Sequence, residues 1–267
     1  MTPARPRTTV FIGGGRITRA LLAGLKLKGF EGPILVHDRN PRKLQTLRRQ
    51  FEVAVEPILF QAVQQADILV IAVRPQDVRE LLQQITETPS RVAISLAAGI
   101  PLRNLRGWMG GRVMWARAMP SPVARNGRGL TALTFERGVR ITRRREVRDF
   151  FAQVGGVIEI PEREFDAFTT TYSSSHGYHA LAALANGAQK LGLDRKTALT
   201  AAAHALADGI LAWRDGNISL EDLQHEAATP GGIAAETLTT MDKSGYRQIV
   251  ERGLRAGMAR ARKNAKR

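Results

Sequence analysis

Residues 10–25 read VFIGGGRITRALLAGL. A short apolar run enters a glycine cluster and passes directly into Ile17, Leu21, Leu22 and Leu25 at helical spacing. Strand, tight turn and helix in that order place backbone N–H groups and a helix N-terminus where a diphosphate can sit. Gly13 would allow the turn, Gly15 would let the backbone approach a pyrophosphate, and the third fingerprint position falls on Thr18, small but not glycine. A glycine pattern alone is weak. This one follows a strand and opens a helix near the start of the chain, which is the context a dinucleotide requires. The competing reading is an ordinary βα turn. On the dinucleotide reading Gly13, Gly14, Gly15, Arg16 and Ile17 bind the cofactor.

A second strand is expected at 33–36, ending in His37-Asp38-Arg39-Asn40-Pro41-Arg42-Lys43. Asp38 hydrogen-bonding a ribose 2′-hydroxyl would favour NAD. Arg39, next to Asn40, would instead stack on adenine and pair with a 2′-phosphate, with Arg42 or Lys43 assisting, which favours NADP. Three cations near one carboxylate tilt the expectation to NADPH over NADH. Arg42 and Lys43 also suit the solvated first turn of a helix.

The chain has 267 residues, enough for two modest domains, and no cysteine, which excludes disulfides and thiolate metal sites. No metal site is expected. The net charge of +16 points to anionic partners such as phosphorylated cofactors, acidic metabolites or nucleic acid. Much of it is local, in Arg143-Arg144-Arg145 and in Arg255, Arg260, Arg262, Lys263, Lys266 and Arg267. Neither cluster is interleaved with aromatics, so solvated helix surface is favoured over a nucleic-acid site. No apolar run has bilayer-spanning length and the opening MTPARPRTT does not read as a signal peptide, so a cytoplasmic protein without a membrane partner is expected.

Apolar runs at 67–73, 92–95, 113–117, 130–135 and 157–160 read as further strands, with helical patterns from Asp77 and over 144–153 between them. The expectation is an α/β, doubly wound Rossmann-type domain over 1–161. From Glu162 onward no convincing strand occurs. Helices are expected over 180–191, from Asp194 to about Arg214, and over 220–227, with two more after Thr229-Pro230-Gly231-Gly232. This alanine-rich, all-helical region at 162–267 would gain by packing against a second copy, which suggests a homodimer.

The order of motifs resembles that of pyrroline-5-carboxylate reductase over nearly the whole chain. The stations are the glycine segment, VRPQ at 73–76, SLAAGI at 95–100, RAMP at 117–120 and TPGG at 229–232. The resemblance implies an N-terminal NAD(P) domain, a helical dimerisation domain, and hydride transfer to the C=N carbon of a cyclic imine, giving proline. It also implies that Val73, Arg74, Pro75, Ala97, Ala98 and Gly99 belong to the cofactor site. Thr229, Gly231 and Gly232 would cradle the substrate carboxylate on backbone N–H groups.

Three substrate-side stations depart from the family. Its Met-Pro-Asn-Thr-Pro-Ala becomes Met119-Pro120-Ser121-Pro122-Val123-Ala124. Its Gly-Ser-Gly-Pro-Ala-Tyr is replaced around Tyr172-Ser173-Ser174-Ser175-His176. Its Pro-Gly-Gly-x-Thr hydroxyl is lost at Ala234. Ser121 and Ala234 are therefore expected to line an altered substrate site, with His176, beside Ser175, as replacement proton donor. His179 shares a helix face with His176 but equally suits an interface. His204 and His225 read as structural, and Glu236 and Thr237 as outward-facing or pocket-lining. The leading expectation is an NADPH-dependent imine reductase. A reductase of another imine or keto acid, and a non-catalytic nucleotide-binding regulator, are the alternatives.

Overall fold

In the computed structural model, which describes residues 7–90, 92–111 and 113–266 (for Ser174, the backbone alone), the glycine cluster does turn a strand into a helix. The opening residues 1–6, the Ser174 side chain and Arg267 of the basic tail lie outside the described residues.

The chain runs β1 (Thr9–Ile12), α1 (Arg16–Leu27), β2 (Ile34–His37), α2 (Pro41–Phe51), β3 (Ala54–Val55), α3 (Leu59–Gln64), β4 (Ile68–Ile71), α4 (Pro75–Gln84), β5 (Val92–Ser95) and α5 (Leu102–Met109). It continues through β6 (Met114–Pro120), a 3₁₀ turn (Pro122–Asn126), β7 (Gly129–Phe135), α6 (Ile141–Ala152), β8 (Gly155–Glu159) and α7 (Glu162–Thr171). The described residues after Thr171 are helical with no strand: α8 (Ser174–Lys190), α9 (Arg195–Asp215), α10 (Leu220–Ala227), α11 (Ile233–Lys243) and α12 (Tyr246–Ala265).

The strands form one sheet in the order β3-β2-β1-β4-β5-β6-β7-β8. Every neighbouring pair is parallel except β6 with β7. Side chains alternate across it. Val10 and Ile12 join a core with Leu69, Ile71, Leu82 and Trp115, while Phe11 points the other way to Leu21, Leu25, Val36, Phe150 and Phe151. Both faces are covered by helices, which is why the central strands read as continuous apolar runs.

Several boundaries differ from the sequence expectation for local physical reasons. β6 continues past Arg117 to Pro120, because Ala118, Met119 and Pro120 pair with Leu133, Ala132 and Thr131 of the antiparallel β7. α4 starts at Pro75 rather than Asp77, since proline's fixed φ and missing N–H suit the first helical position. α8 starts at Ser174 rather than Ala180, which places Ser175, His176 and His179 inside a helix. α6 starts at Ile141 rather than Arg144.

The chain divides into two compact units, Met1–Tyr172 with Gly257–Arg267, and Ser173–Ala256. Within the first, α7 is tied to the sheet by ion pairs. The Arg117 guanidinium is buried, lies 3.1 Å from Glu162 and 2.5 Å from Asp166, and stacks 4.3 Å from the Phe165 ring centre. Tyr172 accepts the Leu130 N–H at 2.9 Å. The end of α12 packs against the loop after β5, where Asn264 Nδ2 donates to the Ala98 carbonyl at 3.1 Å. Gly99 sits at φ +76°, and a Cβ there would stand 2.6 Å from the Ala261 carbonyl oxygen.

The second unit pairs α8 with α9 but buries little. Ala185, Ala198 and Ala202 are its buried apolar residues, while Ile210, Trp213, Ile233 and Ile249 are each more than half exposed. Small alanine contacts bring helices close but remove little apolar area from water.

Candidate functional site: the glycine turn between β1 and α1

β1 and β4 lie side by side, and the turn after β1 is pressed against the end of β4. Gly13 takes φ +114°, and a Cβ there would sit 2.7 Å from the Ala72 carbonyl oxygen. A Cβ on Gly14 would meet Leu47 Cδ1 at 2.7 Å. Gly13 is required by the backbone packed against it and by its positive φ, whereas at Gly14 the tip of the Leu47 side chain would have to move. Gly15 differs: its φ of −76° suits any residue, and the nearest atom to its missing Cβ is 4.0 Å away. It begins α1 with no side-chain cap, so the first amides of the helix keep their hydrogen-bonding capacity for a ligand. Thr18, at the third fingerprint position, is fully buried and donates its hydroxyl to the Gly13 carbonyl at 2.5 Å.

The turn opens on a cavity of about 740 Å³. Of the residues expected to hold a cofactor, Gly13, Gly14, Gly15, Arg16, Ile17, Arg39, Val73 and Arg74 line it. Asn40, Pro75, Ala97, Ala98 and Gly99 do not. Asn40 caps α2, its side chain accepting the Arg42 and Lys43 amides at 3.0 and 3.3 Å. Pro75 opens α4, and the 97–99 loop is held by the end of α12.

Asp38 already accepts three hydrogen bonds from the protein. One carboxylate oxygen accepts the Gly14 N–H at 2.8 Å and the Lys43 ammonium at 3.3 Å, and the other accepts the Asn40 N–H at 2.9 Å. Burial pushes this carboxyl up, but the Asn40 and Gly14 amides with Lys43 more than offset it and hold it below the ordinary aspartate value. Sequence reasoning offered Asp38 as a ribose ligand; the Gly14 amide that occupies it comes from 24 residues away. The cations facing the cavity are Arg16, Arg19, Arg39, Lys43 and Arg74, against the carboxylates of Asp38, Asp77 and Glu80. The mouth is electropositive and fits a phosphorylated nucleotide. Arg19 and His37 line it without having been expected to.

The residues expected on the substrate side fall in different places. Ser121 is buried in the first unit, and its hydroxyl accepts the Val123 N–H at 3.1 Å to cap the 3₁₀ turn. The others belong to the helical unit. Ser173 precedes α8, with its Oγ 2.6 Å from that of Ser175, and His176 and His179 are exposed on the same helix. Thr229 accepts the Gly232 N–H at 2.9 Å, Gly231 takes φ +77° with open space where its Cβ would be, and Gly232 caps α11. That turn presents backbone donors at a helix start without a side chain over them. Ala234 follows in the first turn of α11 and supplies no polar group.

Residues 8–99 match the family model described as NADP oxidoreductase coenzyme F420-dependent, and residues 162–264 match the model for pyrroline-5-carboxylate reductase dimerisation. Pyrroline-5-carboxylate reductase of Thermus thermophilus is 33% identical over 261 residues, covering 92% of this chain and 96% of the relative. Among solved structures, 1-pyrroline-5-carboxylate reductase of Streptococcus pyogenes superposes with a TM-score of 0.89 at 23% identity, over 96% of this chain and 98% of that one. The pyrroline carboxylate reductase of Plasmodium falciparum, solved with NADP bound, gives 0.87 at 20% identity over 97% and 98%. The two superpositions establish a shared fold.

Proposed function

Because the chain belongs to the pyrroline-5-carboxylate reductase family, we propose that it is an NADPH-dependent reductase of a cyclic imine C=N bond, with a substrate site altered from that of its relatives. The observation that carries the reading is the glycine turn, too tight for a Cβ at Gly13, open at Gly15, and flanked by Arg39. A bound NADPH would supply the hydride. Gly15 and the free amides of Arg16 and Ile17 would hold the pyrophosphate. Arg39 would pair with the 2′-phosphate, aided by the fact that Asp38 is already neutralised by its amides and Lys43. Val73 and Arg74 would flank the dinucleotide, while Asn40, Pro75, Ala97, Ala98 and Gly99, which do not line the cavity, would serve it through the turns they build.

On the substrate side, the turn of Thr229, Gly231 and Gly232 would seat a carboxylate at the start of α11, where the Gly232 N–H is itself given to the Thr229 carbonyl, and Ser121 would contribute from the end of β6. Imine reduction needs a proton at the ring nitrogen as the hydride arrives at carbon. The family resemblance implies a threonine hydroxyl where Ala234 stands, so that proton is assigned to His176, with Ser175 beside it. The helical unit, with its uncovered Ile210, Trp213 and Ile249, is proposed to form a homodimer.

The test is steady-state oxidation of NADPH by pyrroline-5-carboxylate for the native chain, Ala234→Thr and His176→Ala. An absent transition-state hydrogen bond costs about 10²–10³ in rate, so slow native turnover is expected, raised by Ala234→Thr and lowered by His176→Ala. A fast native enzyme indifferent to the His176 change would overturn the altered-site reading. Faster turnover of another cyclic imine would redirect the substrate within the same chemistry.

A further inference from the structure

One imidazole at the glycine turn has no role in the reading above. His37 ends β2, is buried, and its carbonyl accepts the Gly13 N–H at 2.7 Å. Its Nδ1 lies 2.9 Å from the Glu56 carbonyl oxygen. A carbonyl only accepts, so Nδ1 carries a proton and the tautomer is fixed. Nε2 meets no hydrogen-bond partner among the described residues, and His37 lines the nucleotide cavity. Neutral imidazole with Nδ1 protonated can only accept at Nε2; the imidazolium can only donate there.

We propose that His37 Nε2 contacts the ribose 2′ position of the dinucleotide and makes the choice between NADPH and NADH depend on pH. The inference rests on the nucleotide reading of the cavity. Neutral His37 accepts from the 2′-hydroxyl of NADH, whereas protonated His37 donates to the 2′-phosphate of NADPH. Charged groups of several elements face the same cavity. Arg16 and Arg19 come from α1, Arg39 follows His37 in the chain, and Arg74 precedes α4. Lys43 from α2 is paired with Asp38, whose oxygens are occupied by the Gly14 and Asn40 amides. Asp77 and Glu80 of α4 supply the opposing charge. Glu56, after β3, turns its carboxylate to the Ile58 amide at 2.8 Å. A 2′-phosphate beside Nε2 favours the imidazolium, so NADPH binding takes up a proton.

The sign is distinctive. NADPH affinity relative to NADH falls as pH rises through the range in which imidazole titrates. The phosphate's own second ionisation, near about pH 6, pushes the other way, because its dianion forms as pH rises. The experiment measures both dissociation constants from about pH 6 to about pH 8.5 at constant ionic strength, for the native chain and His37→Gln. The native ratio is expected to fall about tenfold, the scale of one hydrogen bond to a charged group, and the fall is expected to vanish in the variant. Calorimetry of the native protein in two buffers of different ionisation enthalpy gives a second readout if the buried substitution unfolds the chain: proton uptake with NADPH and none with NADH. A level or rising native ratio, no NADPH-specific uptake, or an equal fall in His37→Gln would overturn the proposal. Failure to bind either nucleotide would instead overturn the nucleotide reading, and this inference with it.

Discussion

Two single-methyl substitutions in the same turn should have opposite consequences. In Gly13→Ala the new Cβ meets the Ala72 carbonyl oxygen at 2.7 Å and its carbon at 2.9 Å, and the residue must hold φ +114°. The conformation alone costs about 1–3 kcal/mol, and forcing the end of β4 away adds a similar amount. A total of about 3 kcal/mol lowers the Tm of a chain this size by roughly 6–12 °C. In Gly15→Ala the φ of −76° is ordinary and the nearest atom is 4.0 Å away. Its stability loss should stay within about 1 kcal/mol, the scale of a poorer helix cap. The methyl instead stands where a pyrophosphate would approach α1. Losing one hydrogen bond to a charged group costs about 1.5–3 kcal/mol, or tenfold to a hundredfold in NADPH affinity. Differential scanning calorimetry and nucleotide titration on both variants decide the matter. A Gly15→Ala protein that binds NADPH as tightly as the native one, or a Gly13→Ala protein with native Tm, would refute the division of labour in the turn.

Replacing Arg39 by Ala should weaken NADPH far more than NADH in binding measured at fixed salt; equal losses would remove Arg39 from the 2′-phosphate. Arg117→Met should destabilise the sheet unit by about 3 kcal/mol in urea unfolding, because Glu162 and Asp166 lose their counter-ion. Asp38 titrates below the ordinary aspartate value, so its contribution to stability is complete above about pH 4 and is lost as pH falls through the lowered value. Asp38→Asn should therefore be less stable at neutral pH and less acid-sensitive below about pH 4, as read by Tm against pH. Light scattering at micromolar concentration should report a dimer or larger assembly, and a monomer would contradict the role given to the helical unit.

What the sequence disclosed was set by how local the cause is. The strand–turn–helix at 10–25 and the buried run at 68–71 carry their own periodicity, so the α/β order was readable. The antiparallel β7 was readable as a strand but not in direction, since direction depends on Pro120 facing Thr131 across a turn. Gly99 looked like part of a cofactor motif, yet its glycine is also required by Ala261, far along the chain. Asp38 and His37 adjoin each other and look equally available. Their partners, the Gly14 amide and the Glu56 carbonyl, arrive from other elements, and only the fold shows them. On the substrate side, Ser121 turned out to cap a 3₁₀ turn, a use that its Pro122 neighbour hints at but does not specify.

The central claim is that this chain moves hydride from NADPH to a cyclic imine. Its most direct test incubates the purified full chain with NADPH and pyrroline-5-carboxylate, following NADPH absorbance and proline by mass spectrometry in the same sample. The account predicts that NADPH is consumed and proline accumulates in equal amounts, slowly in the native chain, faster in Ala234→Thr, and, at subsaturating NADPH, more slowly still in Gly15→Ala. Binding of NADPH without any consumption in the presence of pyrroline-5-carboxylate or of other cyclic imines would contradict it.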